Sequence, residues 1–337
     1  MLHVVQNKVK ALSSILLALL PLTSVWAIGL PTHRNIKVTD SESEPVADAE
    51  VVVGWSWGGS WTEGPKGNSK KGKTNKNGKY TFLWLTKGRL GVTAEKEGYY
   101  RTHTIPQVGE DIVVQLREKK NPIPMYAKRA KIDLPNGDGD FGYDMTVGDL
   151  VKPHGVGEHT DFIFRVSTTE HENEYREWYK LHGEIVFSNE NDGIQAVYVP
   201  YRVYPRSEYR LPFTAPKDGY LVSLTQAIGS SRENYIRDKE DNVWFWTEDF
   251  FWKDPAQNWA EEAHFFMKVR SDEESGACYA ILRNPPKFSY RAGDMPWITF
   301  DYFFNPAHSR NLEFDKDKNM MKEFRRYRLE EYKPGYP

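Results

Sequence analysis

The stretch from Thr74 to Tyr100, TNKNGKYTFLWLTKGRLGVTAEKEGYY, most narrows what this chain can fold into. Glycines at 78 and 98 supply the positive φ that tight turns require. Between them, large apolar residues recur with the period of two that is typical of half-buried strands. The two sets, separated by a Thr86-Lys87-Gly88 turn, are Tyr80, Phe82, Trp84 and Leu90, Val92, Ala94. The stretch therefore predicts a β-hairpin.

Three segments of the same region carry a family resemblance: PVADAEV from Pro45, TNKNGKYTF from Thr74 and VTAEKEGY from Val92. Together they resemble the carboxypeptidase regulatory-like domain, a small transthyretin-like β-sandwich. The resemblance covers Arg34 to Arg117 and implies a sandwich over residues 34–118. It departs from the family in Glu44, where a glycine is usual, and in the long connection from Trp55 to Lys73.

In zinc carboxypeptidases, a domain of this kind follows a large catalytic domain. Here only a leader and a few residues precede it, so we expect no peptidase activity. Residues 1–27 have the pattern of a secretory signal peptide, with an apolar run from Ala11 to Leu22 and a cleavage site after Ala27. The run is too short to span a bilayer comfortably. We expect an exported protein, periplasmic or extracellular, with no transmembrane segment after cleavage.

Beyond a linker at residues 119–125, the composition changes to long aromatic strands over residues 126–314. Seven runs predict strands and favour a second β-sandwich or a jelly-roll-like domain. They are Asp161–Ser167, Trp178–Ser188, Ile194–Tyr204, Tyr220–Ala227, His264–Ser271, Ala277–Arg283 and Trp297–Asn305. The tail, residues 315–337, has helical apolar spacing from Asp315 to Arg328. The predicted fold is all-β, two β-sandwich domains in tandem with a short C-terminal helix. The string Tyr302 to Phe314 is similar to the ends of uncharacterised exported bacterial proteins, a likeness that implies no activity.

Charge and cysteine content exclude several classes of protein. The chain of 337 residues carries 45 Lys and Arg against 47 Asp and Glu, so it lacks the basic excess of a nucleic-acid-binding protein. Its single cysteine, Cys278, excludes an intrachain disulfide and lies far from any lipoprotein cleavage site. The lysine-rich run from Lys66 to Lys79 predicts a solvated loop, or else a contact with an anionic surface.

No motif identifies a catalytic residue. The H-x-x-E match from His171 to Glu174 carries little information, because a chain with 9 His and 47 acidic residues has about one H-x-x-[DE] by chance. There is no G-x-S-x-G motif, and the strand around Cys278 predicts a small buried side chain. Adjacent acids such as Glu248 and Asp249, or Glu261 and Glu262, are too numerous for a glycosidase pair to be chosen. We expect no cofactor, although a hydrolase of unrecognised type in the second domain remains an alternative.

A weak calcium signal lies in the segment NGDGD from Asn136, followed by Asp144. Asp138, Asp140 and Asp144 have the oxygen density of a calcium loop. The segment fails the EF-hand pattern because Phe141 occupies the sixth position. The alternatives are a calcium loop of another geometry, which would brace the domain junction, and a plain Asx/Gly turn.

Two tryptophan clusters are the candidate ligand-binding residues. The first, Trp55, Trp57 and Trp61, lies in a Gly/Ser-rich segment that predicts a loop, and the second includes Trp244 and Trp246. Flat indole rings suit the apolar face of a sugar. The alternative is that the rings fill the core or form a hydrophobic lid over the end of the sandwich.

Together these features favour an exported, non-catalytic binding protein of the bacterial cell envelope, with polysaccharide as the candidate ligand. The partner is a polysaccharide or another envelope protein, and not nucleic acid. Besides the hydrolase, the open alternative is a structural module whose tail, Lys316 to Tyr332, docks on another chain.

Overall fold

The computed structural model describes residues 32–57, 66–84, 90–106, 111–135, 138–173, 176–200, 206–230, 236–237, 244–245, 261–289 and 296–321. Throughout these ranges the chain forms strands and turns and contains no helix, so the predicted all-β class is confirmed for them. The chain divides into two compact units. Of the described residues, the first unit takes those up to Glu118 together with residues 206–208, and the second takes the remainder from Lys119.

The strands of the first unit are β1 (Thr32–Thr39), β2 (Glu50–Trp57), β3 (Lys66–Lys73), β4 (Lys79–Trp84), β5 (Leu90–Glu95), β6 (Tyr99–Tyr100), β7 (Thr102–Thr104), β8 (Ile112–Gln115) and β9 (Arg117–Glu118). The second unit contains β10 (Ile123–Asp133), β11 (Gly139–Asp144), β12 (Asp149–Leu150), β13 (Phe162–Asn173), β14 (Arg176–Val186) and β15 (Gly193–Pro200). β16 (Arg206–Ser207) belongs to the first unit. The second unit continues with β17 (Ser223–Ser230), β18 (Ile236–Arg237), β19 (Trp244–Phe245), β20 (Glu261–Val269), β21 (Cys278–Ser289), β22 (Trp297–Asn305) and β23 (Phe314–Asn319).

Two main sheets of the first unit share one core. One sheet has the order β4-β1-β8 and the other β16-β7-β5-β2-β3. Alternating apolar side chains from both sheets meet in a single cluster, as the period of two in their sequences requires. The cluster includes Ile36 and Phe82 from the first sheet, and Val51, Val53 and Val92 from the second.

The predicted hairpin is wrong in its pairing, although both of its strands exist. β4 pairs with β1, whereas β5 pairs with β2 and β7, so the two strands belong to different sheets. Alternation shows which side chains face a core but does not show which strand is the neighbour. The turn glycines are as expected, with φ of 68° at Gly78 and 82° at Gly98.

The connection from Trp55 to Lys73 begins and ends in strands, although its composition predicts a loop. β2 runs to Trp57 and pairs antiparallel with β3, from Glu50↔Lys73 to Trp57↔Lys66. The predicted Gly/Ser/Lys loop is therefore wrong for both ends of this segment, which are strands. Backbone pairing with β5 and β3 outweighs the low strand propensity of glycine and serine.

Two sheets also share the core of the second unit. A six-stranded sheet has the order β15-β20-β21-β22-β10-β23, and a five-stranded sheet has the order β12-β11-β13-β14-β17. Their common core is strongly aromatic, with edge-to-face contacts such as Tyr143 to Phe300 at 5.1 Å and Phe162 to Phe164 at 4.9 Å. Edge-to-face geometry places the positive edge of one ring against the negative face of another.

The predicted C-terminal helix is wrong over its first residues. Residues 315–319 lie in β23, which pairs in parallel with β10 at the edge of the six-stranded sheet. The strand is held by side chains as well, because Asn319 accepts from the backbone of Ala127 and Lys119 pairs with Asp315 at 2.8 Å. These bonds favour the extended form over a helix. The remainder of the predicted helix, from residue 322, lies outside the described residues.

Within the described part of the chain, no helix is long and apolar enough to cross a membrane.

Candidate functional site

The six-stranded sheet has a second face, opposite the core, that carries polar side chains on its four middle strands. Along β22, Ile298, Phe300 and Tyr302 point into the core. Because side chains alternate along a strand, Trp297, Thr299 and Asp301 lie on the second face. Arg129 and Lys131 of β10 alternate in the same way with core residues and share this face.

Four residues on this face form one row across four neighbouring strands. Asp301 is the register partner of Arg129 on one side and of Arg283 on the other. Phe265 pairs with Leu282, so the preceding residue, His264, follows beside Arg283. We call Arg129, Asp301, Arg283 and His264 the polar row. Neighbouring strands are about 4.8 Å apart, so the row extends roughly 14 Å across the sheet.

Asp301 is the acidic member of the polar row. It is 9% exposed, and its Oδ1 lies 3.5 Å from Nε of Arg129. Burial raises the pKa of its carboxyl, and the positive charges of Arg129 and Arg283 act in the opposite direction. A buried carboxylate is expensive unless cations accompany it, so the two arginines explain how an acid is tolerated in the middle of this sheet.

His264 is the other buried member of the row, at 1% exposure. Burial lowers its pKa to about 3, and the charges of Arg283 and Arg210 act in the same direction. The imidazole is therefore neutral at physiological pH. Among Arg129, Arg210, Arg283, Asp301 and His264, three positive charges stand against one negative charge.

The side chains next to the polar row add an aromatic ring and a further cation. Nζ of Lys131 lies 5.6 Å from the centre of the Trp297 ring, within the range of a cation–π contact. Trp297 lies four residues before Asp301 on the same strand, about 13 Å away at the rise of a β-strand. The half-buried indole and the exposed guanidinium of Arg129 are thus parts of one surface.

A register irregularity lies directly beside this surface. Between the pairs Arg283↔Asp301 and Lys287↔Thr299, β21 contains more residues than β22, which is a β-bulge. The inserted residues include Pro285 and Pro286, which cannot donate to the sheet. Bulges re-aim side chains and are frequent next to binding and active sites.

This arrangement has the parts needed to hold an anion that also has an apolar face. Guanidinium groups match carboxylate and phosphate oxygens with two parallel hydrogen bonds. A tryptophan ring offers stacking surface, and Thr299 and Asp301 offer hydroxyl and carboxylate groups. Within the described residues of this row there is one carboxylate, whereas glycoside hydrolysis requires two.

The tryptophans chosen from the sequence are not brought together by the described structure. Trp55 lies in strand β2, not in a loop, and is buried in the core of the first unit at 8% exposure. Trp57 ends the same strand and Trp244 begins β19, but the side chains of both lie outside the described residues. Trp61 and Trp246 lie wholly outside them. The alternation Val51, Val53, Trp55 was the signal that Trp55 faces the core.

The three calcium candidates have separate surroundings. Asp140 makes a two-pronged ion pair with Arg165, at 2.9 and 3.0 Å, on the exposed surface. Asp144 is buried, and its carboxylate accepts from four backbone N–H groups, those of Thr146, Val147, Glu158 and His159. Asp138 is exposed. Asp144 is thus the acceptor that holds its own turn together.

None of the polar-row residues was selected from the sequence. A signal existed in β22, WITFDYFFN, where Asp301 interrupts an otherwise apolar strand. A charge in the middle of a buried strand requires a partner on a neighbouring strand. Finding Arg129 and Arg283 as those partners needs the strand order, which sequence spacing does not reveal. Comparison with protein-family models gives no match, and comparison with curated proteins gives none either.

Proposed function

We propose that this protein is an exported, non-catalytic binding protein of the bacterial cell envelope, and that it holds an acidic carbohydrate on the second face of its six-stranded sheet. The observation that carries the proposal is the polar row, in which Asp301 lies between Arg129 and Arg283. The carboxylates of an acidic sugar are suitable partners for the guanidinium groups, and the Trp297 ring for a pyranose face.

The proposal includes the architecture of two β-sandwiches in tandem, the first of them a carboxypeptidase regulatory-like domain. In each unit, a core shared by two sheets supports this arrangement. Sandwiches of this type present binding surfaces on a sheet face or at the loops of one end. The proposed surface is of the first kind.

Charge favours an acidic over a neutral carbohydrate. The polar row contains two guanidinium groups, those of Arg129 and Arg283, on either side of Asp301. The carboxylates of an acidic sugar can form charge-assisted hydrogen bonds with guanidinium groups, whereas a neutral sugar offers hydroxyl groups alone. The lysine-rich strand β3 of the first unit, with Lys70, Lys71 and Lys73 exposed, is consistent with an anionic ligand as well.

The two alternatives have less support in the described residues. A hydrolase needs an acid and a base, or a nucleophile and a base, within hydrogen-bond reach. Asp301 and His264 lie two strands apart, roughly 9.6 Å at the usual strand spacing. The first residues of the proposed docking tail, Lys316 to Asn319, already pair with β10 as part of β23. They are therefore not free to dock on another chain.

The experiment is a comparison of two oligosaccharides of equal length, an oligogalacturonate and a maltooligosaccharide. Calorimetric titration of the protein without its leader should give binding to the acidic chain only. The affinity should fall as salt increases, because ion pairs at an exposed surface are screened. Equal affinity for both chains, or none for either, would contradict the proposal. Release of reducing ends from the acidic chain would favour the hydrolase.

A further inference from the structure

A second cluster of chemically active side chains lies at one end of the six-stranded sheet, and it shares no residue with the polar row. Cys278 begins β21, Glu273 lies in the turn before it, and His308 lies in the turn that follows β22. β21 and β22 are adjacent antiparallel strands that pair near this end through Tyr279 and Asn305. Strand order therefore brings residues from two different turns to one place.

The three side chains offer one ligand atom each, and these atoms all lie within 4.8 Å of one another. Sγ of Cys278 and Nδ1 of His308 are 3.5 Å apart. Metal–sulfur and metal–nitrogen bonds of about 2.3 and 2.0 Å, at a tetrahedral angle, place the two ligand atoms roughly 3.5 Å apart. The observed separation therefore allows both atoms to bind one tetrahedral ion.

We propose that Glu273, Cys278 and His308 form a binding site for a divalent transition-metal ion of the zinc class. A thiolate, an imidazole and a carboxylate are the three protein ligands that zinc accepts. Thiolate and imidazole together exclude a preference for magnesium or calcium, which take oxygen ligands. Three protein ligands leave a fourth position for water or another donor.

The backbone around the cluster is held by hydrogen bonds of the turn that contains His308. His308 has a φ of 50°, in the left-handed region, and the Cys278 sulfur contacts the carbonyl oxygen of Pro306 in the same turn. The Asn305 side chain fixes this turn, because it donates to the carbonyl oxygens of Ser309 and Asn311 and accepts from the N–H of Ala307. Rigid supporting turns are usual around metal ligands.

Binding changes the protons of the cluster in a defined way. In the metal-free protein Nδ1–H of His308 donates to the carbonyl oxygen of Gly276 at 2.7 Å. For the ion to take the lone pair of Nδ1, the hydrogen bond to Gly276 breaks and the ring hydrogen moves to Nε2. The thiol of Cys278 loses its proton to solvent, since the thiolate is the metal ligand.

Among the described residues, three contacts of the metal-free protein compete with the site: Nδ1 of His308 with Gly276, the Cys278 thiol with the Pro306 carbonyl oxygen at 3.7 Å, and Arg270 with Glu273. Nε of Arg270 lies 4.0 Å from the Glu273 carboxylate, a distance at which attraction is weak. The same guanidinium is already bound by Asp161, with Nε–Oδ1 at 2.6 Å. Glu273 is exposed and can turn toward the cysteine and histidine without breaking a buried contact.

The test uses Co²⁺, a spectroscopic substitute for zinc, added to the metal-free full-length mature protein. Wild type should show a thiolate-to-cobalt charge-transfer band in the near ultraviolet, and addition of Zn²⁺ should abolish it. The variant Cys278→Ser should lack the band while circular dichroism shows an unchanged fold. The absence of a band in wild type would overturn the proposal without reference to any variant.

A matched pair of variants tests the carboxylate. Glu273→Gln removes a proposed ligand, and Glu274→Gln removes the same charge from the next, exposed residue. We expect the affinity for Zn²⁺ to fall about tenfold or more in the first variant and to stay unchanged in the second. Equal affinities in the two variants would exclude Glu273 from the site and leave a Cys/His pair, which contradicts the three-ligand proposal.

Discussion

Arg270 and Asp161 are joined by two hydrogen bonds, Nε to Oδ1 at 2.6 Å and Nη2 to Oδ2 at 3.1 Å. Arg270 follows β20 of the six-stranded sheet, and Asp161 precedes β13 of the five-stranded sheet. The Asp161 side chain is fully buried. The pair therefore connects the two sheets of the second unit, with the Asp161 carboxylate out of contact with water.

Loss of this pair should destabilise the protein strongly. Asp161→Asn removes the buried acidic partner that Arg270 contacts most closely and leaves Asp144 at 3.7 Å and Glu273 at 4.0 Å, so we expect the free energy of unfolding to fall by about 3 kcal/mol. Asp140→Asn is the matched control, because Asp140 makes the same two-pronged contact with Arg165 at the surface. It should cost about 1 kcal/mol or less. Urea denaturation of both variants measures the two changes in the free energy of unfolding. Similar small decreases in both would contradict a buried, connecting role for Asp161.

Asp144 should make stability dependent on acid pH. Burial by itself raises the pKa of this carboxyl, but four backbone N–H donors together lower it below its ordinary value. A carboxyl with a lowered folded pKa stabilises the protein at pH values above its unfolded pKa, about 4. That stability is lost as pH falls through the folded value. Asp144→Asn should destabilise the protein at neutral pH, and the difference from wild type should shrink as the solution is acidified. A constant difference would contradict this account.

His264 should resist protonation in the folded protein. Its pKa is lowered to about 3, mainly by burial, whereas the unfolded chain has a histidine pKa of about 6.5. Between these values the unfolded state binds more protons, so stability falls as pH decreases from about 6.5. NMR of histidine-labelled protein should show one imidazole that stays neutral at pH values where exposed histidines titrate. The signal should be absent in His264→Gln. A midpoint near 6.5 for that signal would contradict the burial of His264.

Trp55 should behave as a core residue. Trp55→Ala should lower the free energy of unfolding by about 3–5 kcal/mol. Trp55→Phe should cost about 1 kcal/mol, because the indole Nε1 has no hydrogen-bond partner among the described residues and its removal relieves an unsatisfied donor. Thermal unfolding of both variants measures the two effects. A variant that loses retention on a polysaccharide column with unchanged stability would instead support Trp55 as a ligand-binding residue.

Local features of the fold were predictable from the sequence, whereas features that depend on strand order were not. Alternation located most of the long strands, and Gly78 and Gly98 adopt the positive φ that their positions imply. Alternation could not reveal that β4 and β5 belong to different sheets, since both strands face the same core. It could also be mistaken for helical spacing where a strand is short, as at Asp315 to Asn319.

For the candidate site too, local burial was predictable from the sequence, whereas the partners across strands were not. The tryptophan-rich composition predicted Trp55 as a ligand-binding residue. Its burial in the core follows from its place in the alternating set of β2. The polar row combines four residues from four strands, and Arg129 of β10 is more than 130 residues from the other three. The sequence alone showed one charged residue, Asp301, inside an apolar strand, and it did not show which residues on neighbouring strands pair with it.

The most direct test of the proposed function is a matched pair of arginine substitutions. The side chains of Arg129 and Arg165 are 56% and 53% exposed, and each lies beside an aspartate. Arg129 belongs to the polar row and Arg165 lies on the other sheet. Calorimetric titration with oligogalacturonate should show that Arg129→Gln weakens binding about tenfold or more, the effect of losing one charge-assisted hydrogen bond, and that Arg165→Gln does not. Equal affinity of the two variants would contradict an acidic-carbohydrate site at the polar row.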